Sequence, residues 1–309
     1  MKSIPSKRGF ALALVLWISA ALMAVALYSI VSTKESVDNA KKLLAKLQSR
    51  LDAESAFEKS IFYLSSGKYW EDSVKNEVKG MPKKIVLVNK EVFFKEGESN
   101  ITLKVQDIGG LENITIMARK LSVIRRLIKN VTGKSSPFAA DSYLDWLDMD
   151  EEAHLNGAES FYYKSIVSRK YGSSNRRYIQ HPDELRLIRG FDILSDSEWR
   201  EIKKYLAYSY SGGKNILAFP KKMIESYIKV TPSQWKELMS LKRKSLKKYR
   251  DKFFDYIIDE EEKERLNFHP TRSFVISLEA KRGEALSKIW AMIDVKPKVS
   301  EMINIIEYK

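Results

Sequence analysis

The chain has 309 residues, 44% of them hydrophobic and 30% charged, enough for one large or two ordinary cores under a soluble surface. It has no cysteine, which excludes disulfides, thiolate catalysis and Cys-ligated zinc. A formal net charge of +14 favours anionic lipid, nucleic acid or acidic partners without choosing among them.

Lys2, Lys7 and Arg8 precede a run, Phe10 to Val31, that contains no charged residue. At about 1.5 Å per residue it makes roughly 33 Å of helix, enough to cross a hydrocarbon core of about 30 Å. The basic flank predicts a cytoplasmic N-terminus and places everything after Val31 on the other side. Three readings are open. A secretory signal would be cut after the run, where Ala20, Ala21, Ala24 and Ala26 supply small residues. A plain anchor would not be cut. A type IV prepilin leader, which Arg8-Gly9-Phe10 resembles, would be cut between Gly9 and Phe10, leaving residues 1–9 behind and keeping 10–31 as a transmembrane helix.

Beyond the run, Val37, Ala40, Leu43, Leu44, Leu47, Leu51, Phe57, Ile61 and Leu64 recur mostly three or four apart, the period of one helix face. No Gly or Pro interrupts Phe10 to Ser66. The pattern predicts one helix about 85 Å long, apolar all round over 10–31 and amphipathic over 32–66. Such a helix has the shape of a pilin spine whose second half packs on a globular head. Pilins and pseudopilins typically carry Glu at the fifth mature position, which here is Leu14. A buried carboxylate without a partner is costly, so a subunit with no neighbour beyond it gains nothing from that Glu.

The segments KKIVLVNKEVFFKEG and NITLKVQDIGGLENITIM carry β-forming residues such as Val86, Val88, Val92 and Phe94, with turns at Gly97-Glu98 and Asp107 to Gly110. They predict the first part of a β head over 67–119. From 120 to 266 the spacing is helical, as in LSVIRRLIKNV, AADSYLDWLDMD, PDELRLIRGF, DSEWREIKKYL and PSQWKELMSLKRKSLKKYRDKFFDYI. Start signals stand at Pro182, Ser195-Asp196 and Thr231-Pro232. Over 267–309, RSFVISLEAKR, ALSKIWAMIDV and EMINIIEYK read as strands again. The expected fold is therefore α+β: a long spine helix and an antiparallel, pilin-like β head, split by a large inserted helical domain.

The stretch DSYLDWLDMDEEAHLNGAESFYY, Asp141 to Tyr163, followed by HPDELRLIRGF, His181 to Phe191, resembles the K-type minor pseudopilins of the type II secretion system. The matching residues are Asp145-Trp146, Asp148-x-Asp150, Gly157-Ala158-Glu159, Tyr162-Tyr163 and Glu184 to Gly190. The family also lacks Glu at mature position five, in keeping with Leu14. The resemblance extends to the leader, spine, split head and insertion, which in that family is SAM-like. It implies a subunit at the tip of the pseudopilus that joins the I-type and J-type minor pseudopilins to start assembly. It further implies processing by the prepilin peptidase at Gly9–Phe10, methylation of the new amine, and work with the inner-membrane secretion platform. The chain would sit in the bacterial inner membrane by a single pass, its globular part periplasmic.

Asp145, Asp148, Asp150, Glu151, Glu152 and Glu159 fall within 15 residues. Carboxylates this dense repel one another unless a cation neutralises them, and hard oxygen donors in a loop suit calcium, which takes about six to eight oxygens. The spacing is not that of an EF-hand, and a solvated acidic turn is the plain alternative. Family members bind calcium in this region, so the resemblance implies a structural calcium. Asp148, Asp150 and Glu159 match the family's acidic positions best. Asp145 is a weaker candidate that could instead cap a helix or face solvent.

The three histidines, His154, His181 and His269, have no metal-ligand spacing, and no phosphate loop, dinucleotide fingerprint or Gly-x-Ser-x-Gly occurs. Catalysis is not expected. The different-class alternative is an anchored DNA-binding protein, since Leu187 to Phe191 faintly resembles a helix-hairpin-helix turn. Leu241 to Lys252 adds seven basic residues. A minor pilin of a type IV pilus is the nearer alternative. The family resemblance weighs against nucleic acid as a partner.

Overall fold

The structure, a computed structural model, describes residues 7–114, 122–166, 179, 181–207, 213–295 and 306–308. Leader residues 1–6, the end of the NITIM run and the start of EMINIIEYK lie outside these. One unbroken helix, α1, runs Lys7–Ser66. Its segment Phe10 to Val31 packs on nothing: Trp17 is 79% exposed and Tyr28 76%. This is the one helix, among the described residues, long and apolar enough to cross a membrane.

The last third of α1 lies on a sheet. Ala53, Ala56, Phe57, Ser60, Tyr63 and Leu64 are buried, three or four apart, so they share one face. Of the amphipathic pattern, Phe57 and Leu64 are buried on this face and Ile61 is half-buried. Val37, Ala40, Leu44, Leu47 and Leu51 remain exposed. Leu44 and Ala53 are nine residues apart, which at about 3.6 residues per turn is half a turn beyond whole turns. The helix thus has two apolar stripes on opposite sides. The head covers one of them.

After α1 come β1 (Lys68–Trp70), β2 (Ser73–Lys75) and β3 (Lys84–Val86), a small antiparallel sheet. Next are β4 (Val88–Glu96) and β5 (Ser99–Asp107), joined by the two-residue turn Gly97-Glu98 with Gly97 at φ 57°. A Cβ at Gly97 would lie 2.7 Å from Asp52 Oδ1 on α1. Asp52 in turn accepts from Ser99 Oγ at 2.6 Å, and Lys59 pairs with Glu96 at 2.5 Å, so the spine grips the turn.

The chain leaves the sheet after Asp107 and returns at β10 (below), which pairs with β5. Between them lie β6 (Glu112–Asn113), α2 (Ser122–Thr132), α3 (Ala139–Leu147), α4 (Ser160–Ser165), α5 (Asp196–Lys203), β7 (Leu206–Ala207), β8 (Lys214–Asn215), α6 (Lys221–Tyr227), α7 (Pro232–Lys244), α8 (Leu246–Asp255) and β9 (Leu266–Asn267). Then β10 (Ser273–Arg282), β11 (Ala285–Asp294) and β12 (Ile306–Tyr308) complete a five-stranded antiparallel sheet of order β12-β11-β10-β5-β4. Its inner face, with Leu103, Val105, Ile276, Leu278 and Ala291, packs on α1.

The two chain crossings are tied together at one buried carboxylate. Asp107 accepts from Gly109 N (2.9 Å), Asn215 Nδ2 (2.9 Å) and Thr271 Oγ1 (2.5 Å). Burial pushes its carboxyl above the ordinary range, and those hydrogen bonds only partly offset it. Nearby, buried Glu112 accepts from Lys214 Nζ at 2.8–2.9 Å and from Tyr227 at 3.1 Å, fastening β6 to β8 and α6.

The insertion is helical as expected, with two local differences. Pro182–Leu187 is a tight 3-10 turn rather than an α-helix, capped by His181. The long basic run 232–255 is two helices. Ser245 takes an extended conformation, closing α7 through its N–H to Leu241 O (2.8 Å) and capping α8. That bend turns Tyr249 and Phe253 into the core beside Phe219. Ser195 with Glu198 and Thr231 with Gln234 form reciprocal caps.

Candidate metal centre

The acidic loop starts where α3 ends. Ala139, Ala140, Tyr143, Trp146 and Leu147 bury one side of the helix, and Asp148 leaves it extended, its N–H donating to Leu144 O at 3.0 Å. The loop then runs to Glu159, the residue before α4.

The residues flanking the loop are interlocked. Trp146 donates its indole N–H to Glu184 at 2.8 Å and meets Tyr163 edge-on at 5.0 Å. Tyr162 packs edge-on against Tyr163, whose hydroxyl accepts from Arg189 N at 3.3 Å. The Arg189 guanidinium lies 3.9 Å from the Phe138 ring centre and 4.8 Å from that of Tyr162, and donates to Gly157 O at 3.0 Å. Gly190, at φ 92°, sits so close to α3 that a Cβ would come within 2.5 Å of Ala139 N, and its carbonyl accepts from Ser136 Oγ at 2.6 Å. The sequence motif is thus one structural unit, in which the 182–191 turn clamps the ends of the acidic loop.

Within the clamp, two groups of ligand atoms lie close enough to hold a metal ion: Asp148, Asp150 and Glu159, and Asp145, Asp148 and His154. In each, the atoms fall within 4.8 Å of one another. The structure therefore brings together the three acids expected from sequence. Asp145, the weaker candidate, neither caps nor faces solvent: it is fully buried and belongs to the second group. Its Oδ1 accepts from His154 N (3.2 Å) and contacts His154 Nδ1. Its Oδ2 lies where a Cβ of residue 157 would stand, 1.7 Å away, so only glycine fits at 157. Glu151 and Glu152 are exposed and join neither group. His154 was missed from sequence, because its only signal is a place inside the loop, not a spacing to another histidine.

The electrostatics match an unneutralised site. Burial, then the charges of Asp150 and Asp145, push the Asp148 carboxyl above its ordinary range. The hydrogen bond to Asp145 raises the His154 imidazole. Buried Asp145 Oδ2 and Asp148 Oδ1 have no hydrogen-bond partner among the described residues. Orphaned carboxylate oxygens are costly in a protein interior unless a cation meets them. The donor set Asp148, Asp150 and Glu159 is all carboxylate oxygen and suits a hard divalent ion.

Of the features behind the DNA-binding alternative, the hairpin-like turn is taken up by packing, whereas most of the basic run stays exposed. Leu185, Ile188 and Phe191 of the hairpin-like turn are fully buried. In the basic run, Lys242 donates to Leu217 O at 2.8 Å. Gly9 lies inside α1, Phe10 is 75% exposed, and Leu14 is about half-exposed.

Residues 104–207 match the family model described as type II secretion system (T2SS), protein K. The match begins in β5 and covers the whole acidic loop and its clamp. Among solved structures, a chain in the crystal structure of the GspK-GspI-GspJ complex from the enterotoxigenic Escherichia coli Type 2 Secretion System has the same fold. The TM-score is 0.54 at 14% identity, over 89% of this chain and 99% of that one. No curated protein matches the sequence.

Proposed function

We propose that this chain is a K-type minor pseudopilin standing at the tip of a type II secretion pseudopilus. There it starts assembly with I-type and J-type partners for protein export across the outer membrane. The observation that carries this reading is the match of residues 104–207 to protein K, over the same residues that the fold interlocks around the acidic loop. The likeness to a chain from a GspK-GspI-GspJ complex supports the choice of partners.

In this reading residues 1–9 are a leader removed by the prepilin peptidase, 10–31 hold the chain in the bacterial inner membrane, and 32–66 are the spine. Residues 67–119 and 267–309 form the head around the insertion, 120–266, and the head is periplasmic. The exposed residues Val37 to Leu51 meet neighbouring spines: the head covers no side of α1 over 31–44 and only the opposite side beyond that. Leu14 offers no carboxylate to a subunit above, and the insertion is bulky at an interior position of a filament. Both fit a cap. The role is structural, with motor and platform as separate proteins.

Calcium is the ion proposed for the centre. Asp148, Asp150 and Glu159 would hold it, with Asp145 beside them, neutralising the loop and fixing it to the 182–191 turn. Its contribution is to fold stability.

The test is mass spectrometry of the N-terminus of membrane-extracted protein, from cells with and without prepilin peptidase. The expected result is a peptidase-dependent start at N-methylated Phe10. An intact Met1, or a start near Ala26, would overturn the pseudopilin reading.

A further inference from the structure

A cleft of about 310 Å³ opens between the outer face of the sheet and the inserted domain, with no residue of the acidic loop or the spine in its lining. Strand alternation sets its floor. Ile289, Ala291 and Ile293 face α1, whereas Trp290 and Met292 face the other way and pack with Leu111 and Ala207. Trp290 is only half-buried there, so part of its ring lines the open cleft. Pro182 and Leu206 add apolar wall.

Apart from His181, Ser277 and Ile289, the rest of the lining is cationic. Arg200, Lys203 and Lys204 come from α5 and the residue after it, and Lys288 faces them from β11. No Asp or Glu lines the cleft. The dipole of α5 accounts for bases in its last turn. It does not account for Lys288 on the opposing strand, nor for an apolar floor left open between the cations. Lys203 pairs with Asp183 at 3.0 Å, Lys204 with Glu201, and Lys288 with Glu279 at 2.5 Å, all exposed pairs that a better-placed anion can displace. Arg200 has no ion pair or hydrogen bond among the described residues.

We propose that this cleft binds an acidic peptide segment of a partner protein, with one large apolar side chain on Trp290 and carboxylates on Arg200, Lys204 and Lys288. Aromatic floors ringed by arginine are typical anchor points in protein recognition. The volume is near the lower end of ligand pockets, enough for one aromatic side chain and its flanking acids. A bilayer lipid is the poorer occupant. The head first grips α1 at Ser49, which donates to Ala280 O at 2.9 Å, and that is roughly 27 Å of helix beyond Val31.

The experiment uses the full chain in neutral detergent micelles and a fluorescein-labelled peptide, Asp-Glu-Phe-Glu-Asp, read by fluorescence anisotropy. Saturable binding is expected. It weakens about tenfold or more in Arg200→Glu and in Lys288→Glu, and also when the peptide's Phe is replaced by Ser. Lys247→Glu, an equal charge change at an exposed position of α8, leaves it unchanged. Arg200 and Lys288 are both exposed, and unchanged melting curves check that each variant folds. No saturable binding, equal weakening by Lys247→Glu, or displacement of the peptide by phosphatidylglycerol vesicles would overturn the proposal.

Discussion

The sheet with its spine and the inserted domain hold together by different means. In the head, α1 and five strands bury repeating apolar faces: every second residue of β10, such as Phe274, Ile276, Leu278 and Ala280, and a three-four stripe of α1. In the insertion, short helices share an apolar core of their own, with Leu127, Ile188, Phe191, Trp199 and Phe253 in it, and add single contacts of particular chemistry: an indole on a carboxylate, a guanidinium between two rings, a glycine against a helix start. The head draws its stability from many similar contacts, so any one exposed change is tolerated. The insertion adds to its core a few positions, such as Gly157 and Gly190, that allow one residue each. The insertion is also the region that keeps orphaned carboxylate oxygens, at Asp145 Oδ2 and Asp148 Oδ1.

The largest expected effect tests the head. Phe274 is fully buried and stacks on Tyr69 at 5.9 Å. Phe274→Ala should cost about 3–5 kcal/mol, measured by thermal unfolding of the full chain in detergent. A loss well under that would mean that the sheet core is looser than its burial implies. The counterpart in the insertion is Gly157→Ala. Its new methyl would overlap Asp145 Oδ2, and overpacking of this kind costs about 1–3 kcal/mol. The same variant should weaken divalent-cation binding, which Phe274→Ala should leave alone. If both variants shift cation binding equally, the two regions are not separate in the way argued.

Much of the head was legible in the sequence because periodicity is a property of many residues at once. The turns at Gly97-Glu98 and after Asp107, the unbroken helix to Ser66 and the returning strands all follow from pattern and breakers. What the pattern hid was which side of α1 the head would take. Two apolar stripes half a turn apart look like one broad stripe until the sheet chooses Ala53, Ala56 and Phe57. In the insertion, residue types were legible and partners were not. Asp148, Asp150 and Glu159 were expected together on family resemblance. The burial of Asp145, the place of His154 and the need for glycine at 157 depend on a loop closing over nine residues, which no local spacing encodes. The break at Ser245 was equally hidden, since Ser is tolerated inside a helix and becomes a cap only when Tyr249 and Phe253 are drawn into the core.

Smaller effects sharpen the comparison. Ser195→Ala removes a reciprocal cap of α5 and should cost about 1 kcal/mol, detected as a lower unfolding temperature. Asp107, at the joint between the two regions, should leave a trace in the pH dependence of stability. Its folded pKa is raised by burial, so between the ordinary carboxylate value and the raised one the folded chain holds a proton that the unfolded chain has released. Its contribution therefore grows as pH falls through that window and is lost as pH rises past the folded pKa. Asp107→Asn should flatten that part of a denaturation profile collected at several pH values. An unchanged slope would mean that the joint is hydrated.

The most direct measurement is hydrogen exchange by mass spectrometry on the full chain in detergent, with calcium and with chelator. If a cation completes the acidic loop and its clamp, calcium slows exchange in peptides covering 141–163 and 181–191 and leaves 273–294 unchanged, and Asp148→Asn abolishes the difference. No slowing at 141–163, or equal slowing in the sheet, would contradict a metal centre confined to the insertion.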